Sequence, residues 1–198
     1  MSAHFGDYVL TDDDWDEAVW VWRHTVVPKG CRAEIIDGLV TVMPLTAGAG
    51  HGIAQSLTRG LYEVIPENWG VYQWLATAVP ARLGLYVPDL VVLPREPMGV
   101  AGDDFVPAAA ARLVVEITSQ ATADNDRVRK AAGYAQAGVP LYLLVDGVAP
   151  GGPTVTLYGE PADGTYRLLS ARPFGEVIEL PEPFAYALDT AGFPAPMS

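Results

Sequence analysis

Two apolar runs constrain this chain more than anything else in it. Residues 112–119 read RLVVEITS and residues 139–147 read VPLYLLVDG. Both are nearly continuous in large aliphatic and β-branched side chains, the pattern of a strand covered on both faces. Between them, ATADNDRVRKAAGYAQAG has the composition of a helix and ends on Gly138, a residue suited to the left-handed position past a helix terminus. A strand–helix–strand unit of this length predicts a right-handed crossover between parallel neighbours. The expected class is α/β, with a mixed central sheet flanked by helices.

The flanking segments fit around this unit. Thr11 precedes Asp12, Asp13 and Asp14, a cap followed by acidic residues that suit the positive end of a helix dipole. With Trp15, Val19 and Trp22 at helical spacing, a helix is expected over about residues 12–24. Asp37-Gly38 predicts a two-residue hairpin turn between strands at 32–36 and 39–43. Ile53, Leu57, Leu61 and Ile65 form one apolar helical stripe. Strands are expected at 71–76, 79–83 and 86–94, a loop over 95–110, and a C-terminal β meander from runs at 154–158, 165–169 and 176–179. The whole reads as a single domain over residues 1–198, with its core at about 30–147.

Composition excludes several functions. Half of the 198 residues are hydrophobic and 18% are charged, which supplies a large core and argues against disorder. No apolar run is long enough to span a membrane, and the N-terminus lacks a basic, apolar leader, so a cytoplasmic location is the default expectation. Cys31 is the only cysteine, which rules out an intrachain disulfide or a multi-thiolate zinc site. The net charge of −12 argues against broad, non-specific nucleic-acid binding. A bound divalent cation would invert the local field at a site, so acidity alone does not exclude phosphate chemistry.

Two carboxylates sit where core-building residues belong. Asp89 follows Pro88 at the head of an apolar run, and Glu116 interrupts LVVEI. A buried carboxylate is costly unless it is paired or bound to a cation. Two on neighbouring strands can share one Mg²⁺, which takes oxygen ligands from one or two carboxylates. In the following helix, Asp126, Lys130 and Tyr134 stand four apart and form a polar stripe. Val128, Ala131, Ala132 and Ala135 occupy roughly the other side and are the expected packing face. His51 follows a glycine-containing loop. Taken singly, each of these has a structural explanation: turn residue, core ion pair, surface helix pair or helix-start residue.

The order EIIDG, a His-containing helix, VPDLVVLP, LVVEITS and DRVRKAAGYAQAGVPLYLLVD resembles the Uma family of restriction-endonuclease-like proteins, in the PD-(D/E)XK nuclease superfamily. The resemblance covers about residues 11–190. It implies a restriction-endonuclease-like core and a Mg²⁺- or Mn²⁺-dependent endonuclease acting on DNA. It implies Asp89, Glu116, Lys130 and Glu34 as catalytic residues, with Asp89, Glu116 and the Ile117 carbonyl holding the metal. Asp126 and Tyr134 match the helix stripe, and with His51 they are candidates for substrate contact. The usual lysine two residues after the second acid is replaced by Thr118, and Lys130 takes its place from the helix. Gln120 stands where the family commonly has proline, and Tyr142-Leu143 replaces an aromatic pair.

Two other readings stay open at this level. One is a non-catalytic binding or regulatory module that keeps the nuclease fold. The other is a plain scaffold whose carboxylates are paired by Arg32, Arg82 or Arg112. A homodimer is expected if two sites act on two strands, with Trp20, Trp69 and Trp74 as interface candidates.

Overall fold

The structure, a computed structural model, describes residues 12–45, 48–95 and 104–194. It opens with α1 (Asp12–His24), which carries Asp12, Asp13 and Asp14 in its first turn and Arg23 and His24 in its last, each matched to the helix dipole. β1 (Cys31–Ile36) and β2 (Leu39–Pro44) pair antiparallel along their whole length. Asp37 and Gly38 turn between them at φ 51° and 81°, the positive values this hairpin turn requires. α2 (Ala49–Val64) follows, then β3 (Trp69–Gln73), β4 (Thr77–Val79), β5 (Gly84–Tyr86), β6 (Leu90–Pro94) and the short β7 (Val106–Pro107). β8 (Leu113–Thr118) leads through a π-helical turn, Asn125–Lys130, into α3 (Ala131–Gln136). β9 (Leu141–Asp146), β10 (Thr154–Ala162), β11 (Thr165–Pro173), β12 (Val177–Leu180) and β13 (Tyr186–Asp189) complete the described chain. Among the described residues no helix is long and apolar enough to cross a membrane.

The strands form a six-stranded sheet, β11-β10-β9-β8-β6-β3, a five-stranded sheet, β2-β1-β5-β4-β7, and the β12-β13 hairpin. β8 and β9 are parallel, as the crossover predicts, while β6 and β10 flank them antiparallel. The larger sheet is therefore mixed. Alternation along β8 sends Leu113, Val115 and Ile117 toward α2, where Ile53, Leu57 and Leu61 pack. Val114 lies on the opposite face, in a cluster with Ile36, Tyr86, Tyr134 and Tyr142. A third cluster joins Ala18 and Val19 of α1 to Ile35 and Leu85 of the smaller sheet.

The structure departs from the sequence expectations at several points. No strand covers 79–83: Val79 ends β4, Pro80–Arg82 make a 3₁₀ turn, and Leu83 is left-handed at φ 44°. Pro80 has no N–H to donate, so the ladder stops there. The strand placed at 71–76 lies at Trp69–Gln73, and 86–94 divides into β5 and β6. These two strands belong to different sheets, and the chain passes between the sheets at Val87, Pro88 and Asp89. The crossover helix buries its polar stripe as well as part of the expected packing face, where Ala135 is buried and Ala131 packs against the core. Asp126, Lys130 and Tyr134 are buried, whereas Val128 is 65% exposed. The polar stripe faces the core because buried partners of opposite charge await it there. Within 95–110, the described part contains β7 and a 3₁₀ turn at Ala108–Ala110, and residues 96–103 lie outside the described residues, as does Thr11.

Candidate functional site

The site forms where the two sheets meet, and strand alternation assembles it. On β1, Arg32 and Glu34 share a face with Ile36. On β8, Glu116 shares a face with Val114. β6 and β8 pair Leu90 with Val115 and Val91 with Val114, so one further step of that register sets Asp89 across from Glu116. Cross-strand neighbours in such a ladder hold their Cβ atoms ~5 Å apart. The helix delivers Asp126, Lys130 and Tyr134 from above. Residues four apart on an α-helix drift by ~40° per step, and the slower-winding π turn over Asn125–Lys130 offsets that drift.

Lys130 is the centre of the arrangement. It is fully buried, and its Nζ lies 2.9 Å from Glu34 Oε1, 3.1 Å from Glu116 Oε1 and 3.3 Å from Asp126 Oδ1. Burial alone would push the ammonium pKa down, but Glu116, Glu34 and Asp126 together hold it above its ordinary value. Tyr134 donates its hydroxyl to Glu116 Oε1 at 3.2 Å, and the Tyr142 hydroxyl ties down the Asp126 carbonyl at 2.7 Å. Glu34 accepts the Val87 N–H at 2.7 Å, and Asp89 Oδ2 accepts the Ile117 N–H at 2.8 Å. The inter-sheet passage and the acidic strand are thus clipped to the site by main-chain donors.

Arg32 lies on the other side of the same carboxylates. Its Nε is 3.7 Å from Glu34, Nη1 is 3.6 Å from Asp89, and Nη2 is 4.0 Å from Glu116. These are long contacts, and Nε and Nη1 are buried without a hydrogen-bond partner. Glu116 Oε2 likewise has none. Among the described residues, four carboxylates, Glu34, Asp89, Glu116 and Asp126, therefore surround two cations, Arg32 and Lys130, for a formal charge of −2. The excess raises the proton affinity of the acids. Burial pushes the Glu116 carboxyl well above its ordinary range, Lys130 opposes that, and Asp126 and Asp89 add to it. Burial also raises Asp126, against the pull of Lys130 and a hydrogen bond from Thr122.

Of the residues singled out from the sequence, Glu34, Asp89, Glu116, Asp126, Lys130 and Tyr134 come together here. His51 is exposed at the start of α2 and meets the ring of Trp74 edge-on, with centroids 6.0 Å apart. Arg32, expected only as one of three pairing candidates, is part of the cluster. The Arg-Ala-Glu alternation in β1 is the signal that places it beside Glu34. Arg82 instead pairs with Asp37, and Arg112 lies over the Trp69 ring. Trp69 also packs edge-on against Phe184, with ring centroids 6.0 Å apart.

Among the described residues, no three His, Cys, Asp or Glu side chains converge as a metal-ligand group. Arg32 and Lys130 stand between the carboxylates. A two-carboxylate Mg²⁺ site needs no third acid, and the −2 charge, with a Glu116 Oε2 that makes no hydrogen bond, fits one divalent cation in place of the long Arg32 contacts. Beside the cluster opens a cleft of about 550 Å³, lined by Trp22, Cys31, Arg32, Trp74, Leu75 and Val87 among others.

A mixed sheet with its parallel β8-β9 pair, two acids facing across β6 and β8, and a crossover helix that returns a lysine to them define a restriction-endonuclease-like α/β protein. A solved structure described as "a putative nuclease belonging to DUF820", from Anabaena variabilis ATCC 29413, shares the fold with a TM-score of 0.66. The match covers 89% of this chain and 94% of that one at 16% identity. The family Uma2, described as "Putative restriction endonuclease", matches residues 22–191, and the chain belongs to that family. No curated protein matches the sequence.

Proposed function

We propose that the protein is a Mg²⁺- or Mn²⁺-dependent endonuclease that hydrolyses phosphodiester bonds in DNA. The observation that carries this reading is the buried cluster of formal charge −2 among the described residues, in which Glu116 Oε2 makes no hydrogen bond and has only a 4.0 Å contact to Arg32. Asp89 and Glu116, with the Ile117 carbonyl, would hold the cation. When bound, it would polarise the scissile phosphate and acidify water. Lys130, kept charged by its three carboxylates, would orient the attacking water or stabilise charge building on the phosphate. Glu34 would position that lysine or a water. Asp126 and Tyr134, buried behind Lys130 and Glu116, act as positioning residues rather than substrate contacts. His51, exposed beside Trp74, would contact substrate.

A second reading draws on one specific observation. Arg32 and Lys130 already oppose every carboxylate in the cluster, as a closed ionic core without chemistry would require. Plasmid DNA incubated with Mg²⁺ or Mn²⁺ separates the two readings. We expect cleavage by the native chain and none by Asp89→Ala, Lys130→Ala or the near-isosteric Glu116→Gln. Cleavage that persists in all three would remove the assignment, and absence of cleavage in the native chain would favour the closed core.

A further inference from the structure

An open sheet leaves a row of unpaired N–H and C=O groups along each edge strand, and chains blunt such edges with charge, bulges, proline or a covering group. The two large sheets have their edges at β2, β7, β11 and β3. Three of these are blunted. β7 is two residues long and contains Pro107. β11 carries Arg167 and Arg172 and pairs with β10 through register shifts. On β3, the Tyr62 hydroxyl accepts the Val71 N–H and donates to the Val71 carbonyl, both at 3.3 Å. β2 has none of these devices before its last residue, Pro44. It reads LVTVMP, without a charged residue, and among the described residues only β1 pairs with it. Leu39 is 69% and Val42 40% exposed. Asp37, in the turn before it, is met by Arg82 at 3.5 Å and Arg129 at 3.3 Å.

Hairpin geometry decides which groups of β2 face outward. In a two-residue hairpin the closing pair, here Ile36 and Leu39, exchanges both hydrogen bonds. The alternation then turns Thr41 and Met43 toward β1, and it reaches Leu45, whose N–H donates to Gly30 O at 2.8 Å. Val40 and Val42 therefore point their N–H and C=O groups away from β1. Beyond them, Pro44 has no N–H, and the Gly38 N–H is taken by Leu83 O at 2.9 Å. An antiparallel second β2 engages every free donor in one register, with Thr41 on the two-fold axis. Val40 of each copy then exchanges both bonds with Val42 of the other. The other cross-strand neighbours are Leu39 with Met43 and Thr41 with itself, pairs that set no like charges opposite each other. That matters in a chain of net charge −12, whose copies repel wherever acidic surfaces meet.

We propose that two copies of this chain associate through β2, joining their five-stranded sheets across a two-fold axis at Thr41. The occupant of this edge is a second copy because the strand is uncharged and complementary to itself. The axis stands perpendicular to the joined sheet. Glu34, which shares a face with Thr41, then looks to the same side in both copies, from β1 strands about 14 Å apart. Two charge clusters on one side suit cleavage of two strands, but the association does not rest on the nuclease reading.

Sedimentation velocity of the full chain, without metal or DNA, gives the first test. A seam this short should yield a dimer with a dissociation constant on the order of 10 μM, visible over a range of about 1–200 μM. Val42→Pro deletes an outward N–H and leaves the β1 ladder alone, so its dimer should weaken at least about tenfold with unchanged circular dichroism. Cysteine cross-linking reads the register, in chains that also carry Cys31→Ser. Thr41→Cys places two sulfurs across a non-hydrogen-bonded pair, whose Cα atoms lie ~4.5 Å apart, within disulfide reach. Leu39→Cys, at the more exposed residue, places them roughly 14 Å apart. Under mild oxidation the first should run as a linked dimer and the second should not. In hydrogen exchange, the Val40 and Val42 amides should gain protection as concentration rises. Protection unchanged by dilution would mean that a segment of the same chain covers the edge, and would overturn the proposal. A monomer throughout the range would leave the edge to a strand of another protein and overturn it too. So would a dimer indifferent to Val42→Pro, or cross-linking stronger through Leu39→Cys than through Thr41→Cys. DNA cleavage enters none of these measurements, so their outcome is separate from that of the nuclease assignment.

Discussion

At the scale of single residues, Lys130 is the point on which the buried charges depend. A lysine with no exposed surface survives only because three carboxylates lie within 3.3 Å of it. The two changes one can make at this ion cluster differ sharply. Lys130→Met keeps the volume but leaves the carboxylates facing Arg32 alone, so urea unfolding near neutral pH should show a loss of about 3–5 kcal/mol. Glu116→Gln removes one negative charge from a cluster with an excess of them, and its amide oxygen still accepts from Tyr134. That variant should stay within about 1 kcal/mol of the native chain. Equal losses in the two would show that the cluster's charge balance does not govern stability.

At the scale of elements, the strands were readable where periodicity was strong. The runs around Leu113–Thr118 and Leu141–Asp146 gave the parallel pair, and Asp37-Gly38 gave the hairpin. Asp89 and Glu116 were readable as carboxylates out of place in apolar runs. Three things were not. Pro80 and the passage at Val87–Asp89 break what looked like continuous strands, because neither a 3₁₀ turn nor a change of sheet alters hydrophobicity. The π turn leaves no mark on composition. The burial of the polar stripe depends on partners from β1 and β8, far away in sequence, so the alanine side alone reads as the packing face although the stripe is buried too. One glycine fixes how close that helix comes. A Cβ at Gly133 would stand 2.8 Å from Tyr86 Cζ, and Tyr86 is itself buried against Tyr134, with ring centroids 5.3 Å apart. Gly133→Ala should therefore push α3 outward and cost about 1–3 kcal/mol. It should also weaken cleavage, since Lys130 and Tyr134 travel with the helix. A melting temperature and cleavage rate equal to the native chain's would show that the close approach is not required.

At the scale of the whole molecule, the question is how an acidic chain tolerates a buried cluster that is itself acidic. Glu116 and Asp126 have folded-state pKa values raised above their ordinary 4.5 and 3.8, chiefly by burial. Between the unfolded and folded values, the native state binds more protons than the unfolded chain. Their contribution to stability is therefore complete below the ordinary values and is lost as pH rises through the raised ones. Lys130, raised from 10.5, keeps its own contribution across that range and loses it only in strong alkali. A divalent cation held by Asp89 and Glu116 competes with those protons, so the protein should gain more from it as pH rises. Saturating Mn²⁺ should raise the melting temperature more at about pH 8 than at about pH 5.5. The metal-free protein should show the reverse trend relative to Glu116→Gln, which cannot release that proton. In Glu116→Gln the Mn²⁺ shift should be small and nearly independent of pH. A Mn²⁺ shift that is the same at both pH values in the native chain, or undiminished in the variant, would mean that the cation binds somewhere other than these carboxylates. The −2 charge would then be balanced by protons alone.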